Sequence, residues 1–112
     1  IADCKLSNRI AGDDMIKGIT VSAPGFFGPQ GRRLRIQPAD DRQNEKIESF
    51  EYKGAKILNY EMESSAVAGF ASLLGHRATS VCMVVADRYQ KEAGASRKNT
   101  MAGLIEKVLE RI

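Results

Sequence analysis

Three short stretches carry the side chains that could do chemistry. Residues 58–65 read LNYEMESS, with Glu61 and Glu63 flanking Met62 where an apolar run gives way to small, helix-forming residues. A carboxylate such as Glu63 can accept two hydrogen bonds from a vicinal diol. An acidic pair at this seam is therefore either a site for a hydroxyl-bearing ligand or a solvated strand end. Residues 24–33 read PGFFGPQGRR. There Gln30 presents an amide donor and acceptor, Arg32 a fixed fork of donors, and Phe26 an aromatic face. Together they could read the edge of a carbonyl-rich heterocycle and cover its plane. The third stretch is Asp87-Arg88, directly after the apolar run TSVCMVVA. Each has a plainer reading: a salt-bridged terminus for Glu61 and Glu63, core for Phe26, gap-filling for Met62, local capping and pairing for Asp87 and Arg88.

The elements that must hold these groups follow from periodicity and punctuation. Residues 3–11 read as a helix, with Asp3 as N-cap and Leu6 and Ile10 on one face. Ile16, Ile19 and Val21 ahead of Pro24 predict a strand over 17–23. Residues 24–33 are a loop, because Pro and Gly oppose regular structure. Phe26 and Phe27 within it need an apolar cover, either the protein's core or a flat ligand. Asp40 and Asp41 can cap a helix over 42–53, with Ile47 and Phe50 inward and Gly54 as its stop. A strand over 55–61 leads into the EME seam. A helix over 64–75 follows, whose buried face is Val67, Phe70, Ala71 and Leu74, and which ends at Gly75. The unbroken apolar run 79–86 predicts a central strand covered on both faces. A polar loop follows. The last helix, 98–112, carries Met101, Leu104, Ile105, Val108, Leu109 and Ile112 as an amphipathic stripe. This alternation predicts an α/β fold with a parallel or mixed sheet. If the strands are neighbours, the three chemical stretches meet in one crevice at their carboxyl ends.

Composition bounds the function. The 112 residues suffice for one modest domain. The net charge of +3 comes from scattered Lys and Arg. The only basic cluster is Arg32, Arg33 and Arg35, short of the stripe that nucleic acid calls for. Cys4 and Cys82 are far apart and Cys82 sits in the apolar run, which predicts reduced, buried thiols and a cytosolic setting. A lone His76 makes no metal site, and no transmembrane span or leader is visible. The chain opens on Ile1 with no initiator Met, which reads as a piece of a longer polypeptide.

Taken in order, GFFGPQGRR, NYEMESSAVAGFA and VCMVVADR resemble the C-terminal part of the nucleoside phosphorylase superfamily, and more closely its uridine phosphorylase branch. The resemblance runs from about residue 17 to 112, well under half of a typical member. It implies a three-layer αβα fold with a mixed central sheet, of the phosphorylase/hydrolase-like kind, of which this is the C-terminal portion. It implies that Phe26 packs on the nucleoside base, that Gln30 and Arg32 bond the uracil edge, and that Glu63 holds the ribose hydroxyls. It further implies that Met62 packs on the sugar, that Glu61 is a second carboxylate beside base and sugar, and that Arg88 orders the base end of the pocket. Asp87 departs from the pattern: pyrimidine enzymes often carry an amide there, and purine phosphorylases and nucleosidases carry the Asp that protonates the purine. The family's phosphate-binding turn and arginines have no counterpart here.

The implied reaction is reversible phosphorolysis of uridine to uracil and ribose 1-phosphate, with inorganic phosphate as co-substrate and no other cofactor or metal. Glu63 would orient the ribose, while Arg32 and Gln30 would stabilise the departing uracil anion. The resemblance also implies a homo-oligomer, a hexamer or dimers, that binds nucleoside and phosphate and engages neither nucleic acid nor membrane. Two other readings stand beside it: a purine phosphorylase or nucleosidase, and a non-catalytic nucleoside-binding domain.

Overall fold

The computed structural model describes residues 2–85 and 101–112. Helix α1 spans Cys4–Ile10. Asp3 caps it, its carboxylate accepting the Leu6 N–H at 2.7 Å and so satisfying one of the donors a helix start leaves open. Ile10 on its inner face is buried.

Strands β1 (Ile19–Ser22), β2 (Glu51–Tyr52) and β3 (Ala55–Glu61) form one sheet in the order β1-β3-β2. β1 runs parallel to β3, and β2 runs antiparallel to it. The architecture is thus mixed α/β on a small mixed sheet. The register passes from Ile19↔Ile57 to Thr20↔Asn59, which leaves Leu58 as an extra residue on β3. Such a bulge moves the residues beyond it to the opposite face, so it sets which way Tyr60 and Glu61 point. Gly18 sits against this irregularity: a Cβ there would press on the Leu58 side chain and lie 2.8 Å from the Lys56 carbonyl oxygen.

The helix expected over 42–53 is shorter. Helix α2 is Gln43–Ser49, and the chain then turns through a tight hairpin from β2 to β3. Lys53 and Gly54 both have positive φ, 51° and 80°, as a two-residue turn matched to strand twist requires. Gly54 is therefore a hairpin residue and not a helix stop. Asp40 does serve the start of α2, accepting the Arg42 N–H at 3.0 Å and pairing with Lys46. The Lys46 ammonium and the Arg42 N–H hold its carboxyl below the usual range.

Helix α3, Ser64–Leu73, begins directly after the EME seam. Its expected buried face is mostly open: Phe70 is 66 % and Leu74 70 % exposed, and Val67 is also exposed. Only Ser64, Ala68 and Ala71 are partly covered. The apolar run does not form the expected central strand either. Residues 79–85 take no regular structure, and Val85 is 67 % exposed. A strand exists only with a hydrogen-bonded neighbour, and among the described residues none pairs with this run. Its start is tied instead to α1, through Asp3 N–H to the Ala78 carbonyl at 2.8 Å and a hydroxyl pair, Ser7 and Thr79, at 2.6 Å. Cys82 is accordingly exposed, not buried; it and Cys4, also exposed, are free thiols.

Helix α4, Met101–Arg111, is held to the α1 end by charge. Asp14 accepts from Lys107 at 2.7 Å and from Arg111 at 2.9 Å, and Arg111 also donates to the Ile10 carbonyl at 3.0 Å. Along its stripe Leu104 and Val108 are partly covered, while Met101, Ile105, Leu109 and the adjoining Ile112 are exposed. No helix among the described residues is long and apolar enough to cross a membrane.

Candidate functional site

Because β1 and β3 are parallel neighbours, their carboxyl ends lie side by side. Ser22 pairs with Glu61, and the Ala23 N–H donates to the Glu61 carbonyl at 2.9 Å. The loop after β1 and the seam after β3 therefore leave the sheet at one edge. This is where parallel strands present ligand sites.

At the seam the two glutamates differ. The Glu61 carboxylate turns back on its own chain, accepting the N–H groups of Glu63 at 2.7 Å and Ser64 at 2.6 Å, together with the Ser64 hydroxyl. It thus fills the open donors at the start of α3, where the helix dipole also favours negative charge. Partial burial pushes its pKa up. The Ser64 hydroxyl, the two N–H groups and the Ser22 hydroxyl outweigh that and hold it at about 2. The Ser22 hydroxyl also accepts the Ser65 N–H at 3.3 Å, tying the end of β1 to α3. Glu63 is the N-cap residue of α3, yet its side chain makes no cap bond. Its carboxylate is exposed and makes no hydrogen bond among the described residues. Met62 beside it is 41 % exposed.

In the loop, Gly28–Gln30 form one 3-10 turn, with Pro29 near its start and Gly31 in the left-handed region at φ 66°. Regular structure thus appears where Pro and Gly were expected to exclude it, because Pro's fixed φ suits the opening of a helical turn and Gly its left-handed close. Phe26 and Phe27 pack edge to face with ring centroids 5.2 Å apart. Neither is core; both are 52 % exposed. Arg32 lays its guanidinium 3.5 Å from the Phe26 ring centroid and donates to the Phe26 carbonyl at 2.8 Å. Its other donors make no hydrogen bond among the described residues. Gln30 is buried, at 5 % exposure, and is not without a partner.

Two residues that the sequence did not single out hold this loop. Asn44 of α2 donates to the Gly31 carbonyl at 3.2 Å and accepts from the Tyr60 hydroxyl at 3.1 Å. Gln43 donates to the Pro29 carbonyl at 2.8 Å. No local sequence signal reveals these links, which join residues 13 to 16 apart. Asp87 and Arg88 lie outside the described residues, as does the polar loop after residue 86.

A cavity of about 1210 Å³ is lined by Ile19, Thr20, Ser22, Asn59, Ser64 and Ser65 among others. Phe26, Gln30, Arg32, Glu61, Met62 and Glu63 do not line it, but Ser22, Ser64 and Ser65 do, so it borders the end of β1 and the start of α3 beside the seam.

The fold and the edge just described define a mixed α/β protein with a polar and an aromatic group at adjoining carboxyl strand ends. Residues 1–111 match the model of the Phosphorylase superfamily, and the chain belongs to that superfamily of nucleoside phosphorylases and nucleosidases. The match is to the superfamily as a whole. The curated proteins and the solved structures give no match.

Proposed function

We propose that the protein carrying this chain is a uridine phosphorylase that cleaves uridine reversibly to uracil and ribose 1-phosphate. The observation that supports this reading best is the adjacency of the Phe26–Arg32 loop and the Glu63 seam at one edge of the parallel pair β1–β3. In this scheme uracil lies against Phe26, with Arg32 and Gln30 donating to its edge. Cleavage gathers negative charge on the base, where the guanidinium of Arg32 stabilises it. Glu63 fixes the ribose diol so that phosphate meets the anomeric carbon in line, and Met62 packs on the sugar. Glu61 acts from behind by fixing the backbone of Glu63. Asp87 and Arg88 complete the base end. The chain supplies the C-terminal portion of a three-layer αβα domain. Phosphate is bound by the remaining portion, and the enzyme works in the cytoplasm as a homo-oligomer.

Asp87 favours a second reading, in which the base is a purine protonated by that carboxyl. Turnover of uridine, inosine and methylthioadenosine by the full-length protein, each with and without phosphate, separates the two. Phosphate-dependent uridine cleavage is expected. Inosine turnover without uridine turnover would overturn the pyrimidine assignment, and no turnover at all would favour a non-catalytic nucleoside-binding domain.

A further inference from the structure

Gln30 and Arg32 flank a single residue, Gly31, and it is the Gly31 carbonyl that Asn44 holds. The Asn44 amide is oriented from its other side by the Tyr60 hydroxyl, and Tyr60 directly precedes Glu61. A series of two hydrogen bonds thus runs from the end of β3, through α2, to the backbone between the two loop residues. The fit at Gly31 is close: a Cβ there would lie 2.8 Å from both the amide nitrogen and the amide oxygen of Asn44. The left-handed φ of Gly31 is what aims its carbonyl at α2. Helix α2 buries none of its residues, so a core-packing role does not account for Asn44.

We propose that Asn44 is a positioning residue for base recognition, clamping the Gln30–Arg32 turn to Tyr60 and so fixing the distance between the base-reading loop and the sugar-binding seam. The proposal rests on the reading of that loop as the base site. The chemistry needs an amide: a carboxylate in its place would face the Gly31 carbonyl, two acceptors with no donor between them. Displacement of a binding group by about 1 Å is enough to lose roughly a hundredfold in rate.

The test uses Asn44→Asp, Asn44→Ala, Tyr60→Phe and the double variant Asn44→Ala/Tyr60→Phe in the full-length protein. Amide exchange in the free protein reads the clamp, and steady-state kinetics read its use. Asn44→Asp is expected to speed exchange across residues 28–33 and leave α3 unchanged. It is also expected to lower kcat/KM for uridine by roughly 10- to 100-fold, with KM for phosphate within about twofold of wild type. Tyr60→Phe should go the same way by less. Because the two bonds act in series, the double variant should be no worse than Asn44→Ala. Unchanged loop exchange in a folded Asn44→Asp protein would overturn the clamp. So would strictly additive losses in the double variant, or an equal rise in KM for phosphate and nucleoside. If wild type cleaves inosine and not uridine, the pyrimidine assignment falls while the clamp stands or falls on the same split measured with inosine.

Discussion

Replacing Glu61 with Gln keeps the shape of the side chain and removes its charge. In the wild type one carboxylate oxygen accepts two backbone N–H groups, at 2.7 Å from Glu63 and 2.6 Å from Ser64. A hydrogen bond to a charged group contributes about 1.5–3 kcal/mol and a neutral one about 0.5–1.5. The difference is about 1 kcal/mol per bond, or about 2 kcal/mol for the two. Water reaches the neighbouring Glu63, so solvent screens part of this, and a loss of about 1–2 kcal/mol is expected. That lowers Tm by roughly 4–8 °C. The pH dependence follows from the direction of the shift. Glu61 is held from its ordinary value of 4.5 down to about 2 in the folded protein. The unfolded chain therefore takes up the proton first as pH falls. Stabilisation is complete above about pH 4.5 and is lost as pH drops through about 2. Urea or thermal unfolding of wild type and Glu61→Gln across this range should show a gap that is widest near neutrality and closes in acid. A gap that stays constant down to the folded pKa would refute the assignment of Glu61 as the carboxylate that caps α3.

Other expectations are simpler. Gly18→Ala forces a methyl group onto Leu58 and the Lys56 carbonyl, so unfolding should show a loss of about 1–3 kcal/mol, as for other overpacked sites. Asp14→Asn removes the carboxylate shared by Lys107 and Arg111. These hydrogen bonds hold its pKa at about 2 against an ordinary 3.8, so wild type should keep the tether above pH 3.8 and lose it as pH falls through about 2. Amide exchange over 101–111 should be faster in the Asp14→Asn variant, and in wild type at high salt, and equal exchange would refute the tether. Arg32→Lys retains the charge but not the planar fork or the stack on Phe26. Under the proposed function, kcat/KM for the nucleoside should fall by about a hundredfold, and a variant within a few-fold of wild type would count against the role of Arg32.

Much of the framework was legible because its signals are local. The Asp3 cap, the β-branched residues of β1, the small-residue start of α3 and the periodicity of α4 each lie within a few residues of what they specify. The hairpin was not legible: Lys53-Gly54 is a less familiar turn pair than Asn-Gly, and a lone Gly after an amphipathic stretch reads equally well as a helix end. The run 79–86 failed for a different reason. An apolar stretch reports that a segment suits burial between two layers, whereas a strand also needs a partner edge, and a linear sequence does not state which edge that is. The same holds for Val67, Phe70 and Leu74, whose spacing marks an apolar face without naming its cover. At the site, residue types pointed to Phe26, Gln30, Arg32 and Glu63. The work of Glu61 in capping its own helix, and of Asn44 in joining Tyr60 to Gly31, depends on backbone directions that appear only after the strands have paired.

The parallel pairing of β1 with β3 has a consequence for the order in which the chain assembles. β2 and β3 are joined by a two-residue turn, and hairpins of this kind close in about 1–10 μs. The connection from Ser22 to Ala55 is roughly sixteen times longer, which adds about 2.5 kcal/mol of loop-closure entropy before β1 can dock. Residues 24–33 and α2 are part of that connection. The loop after β1 is therefore the last part of the sheet's wiring to be drawn tight. A refolding chain should recover its hairpin before the bonds from Asn44 and Gln43 hold residues 29–31 in place.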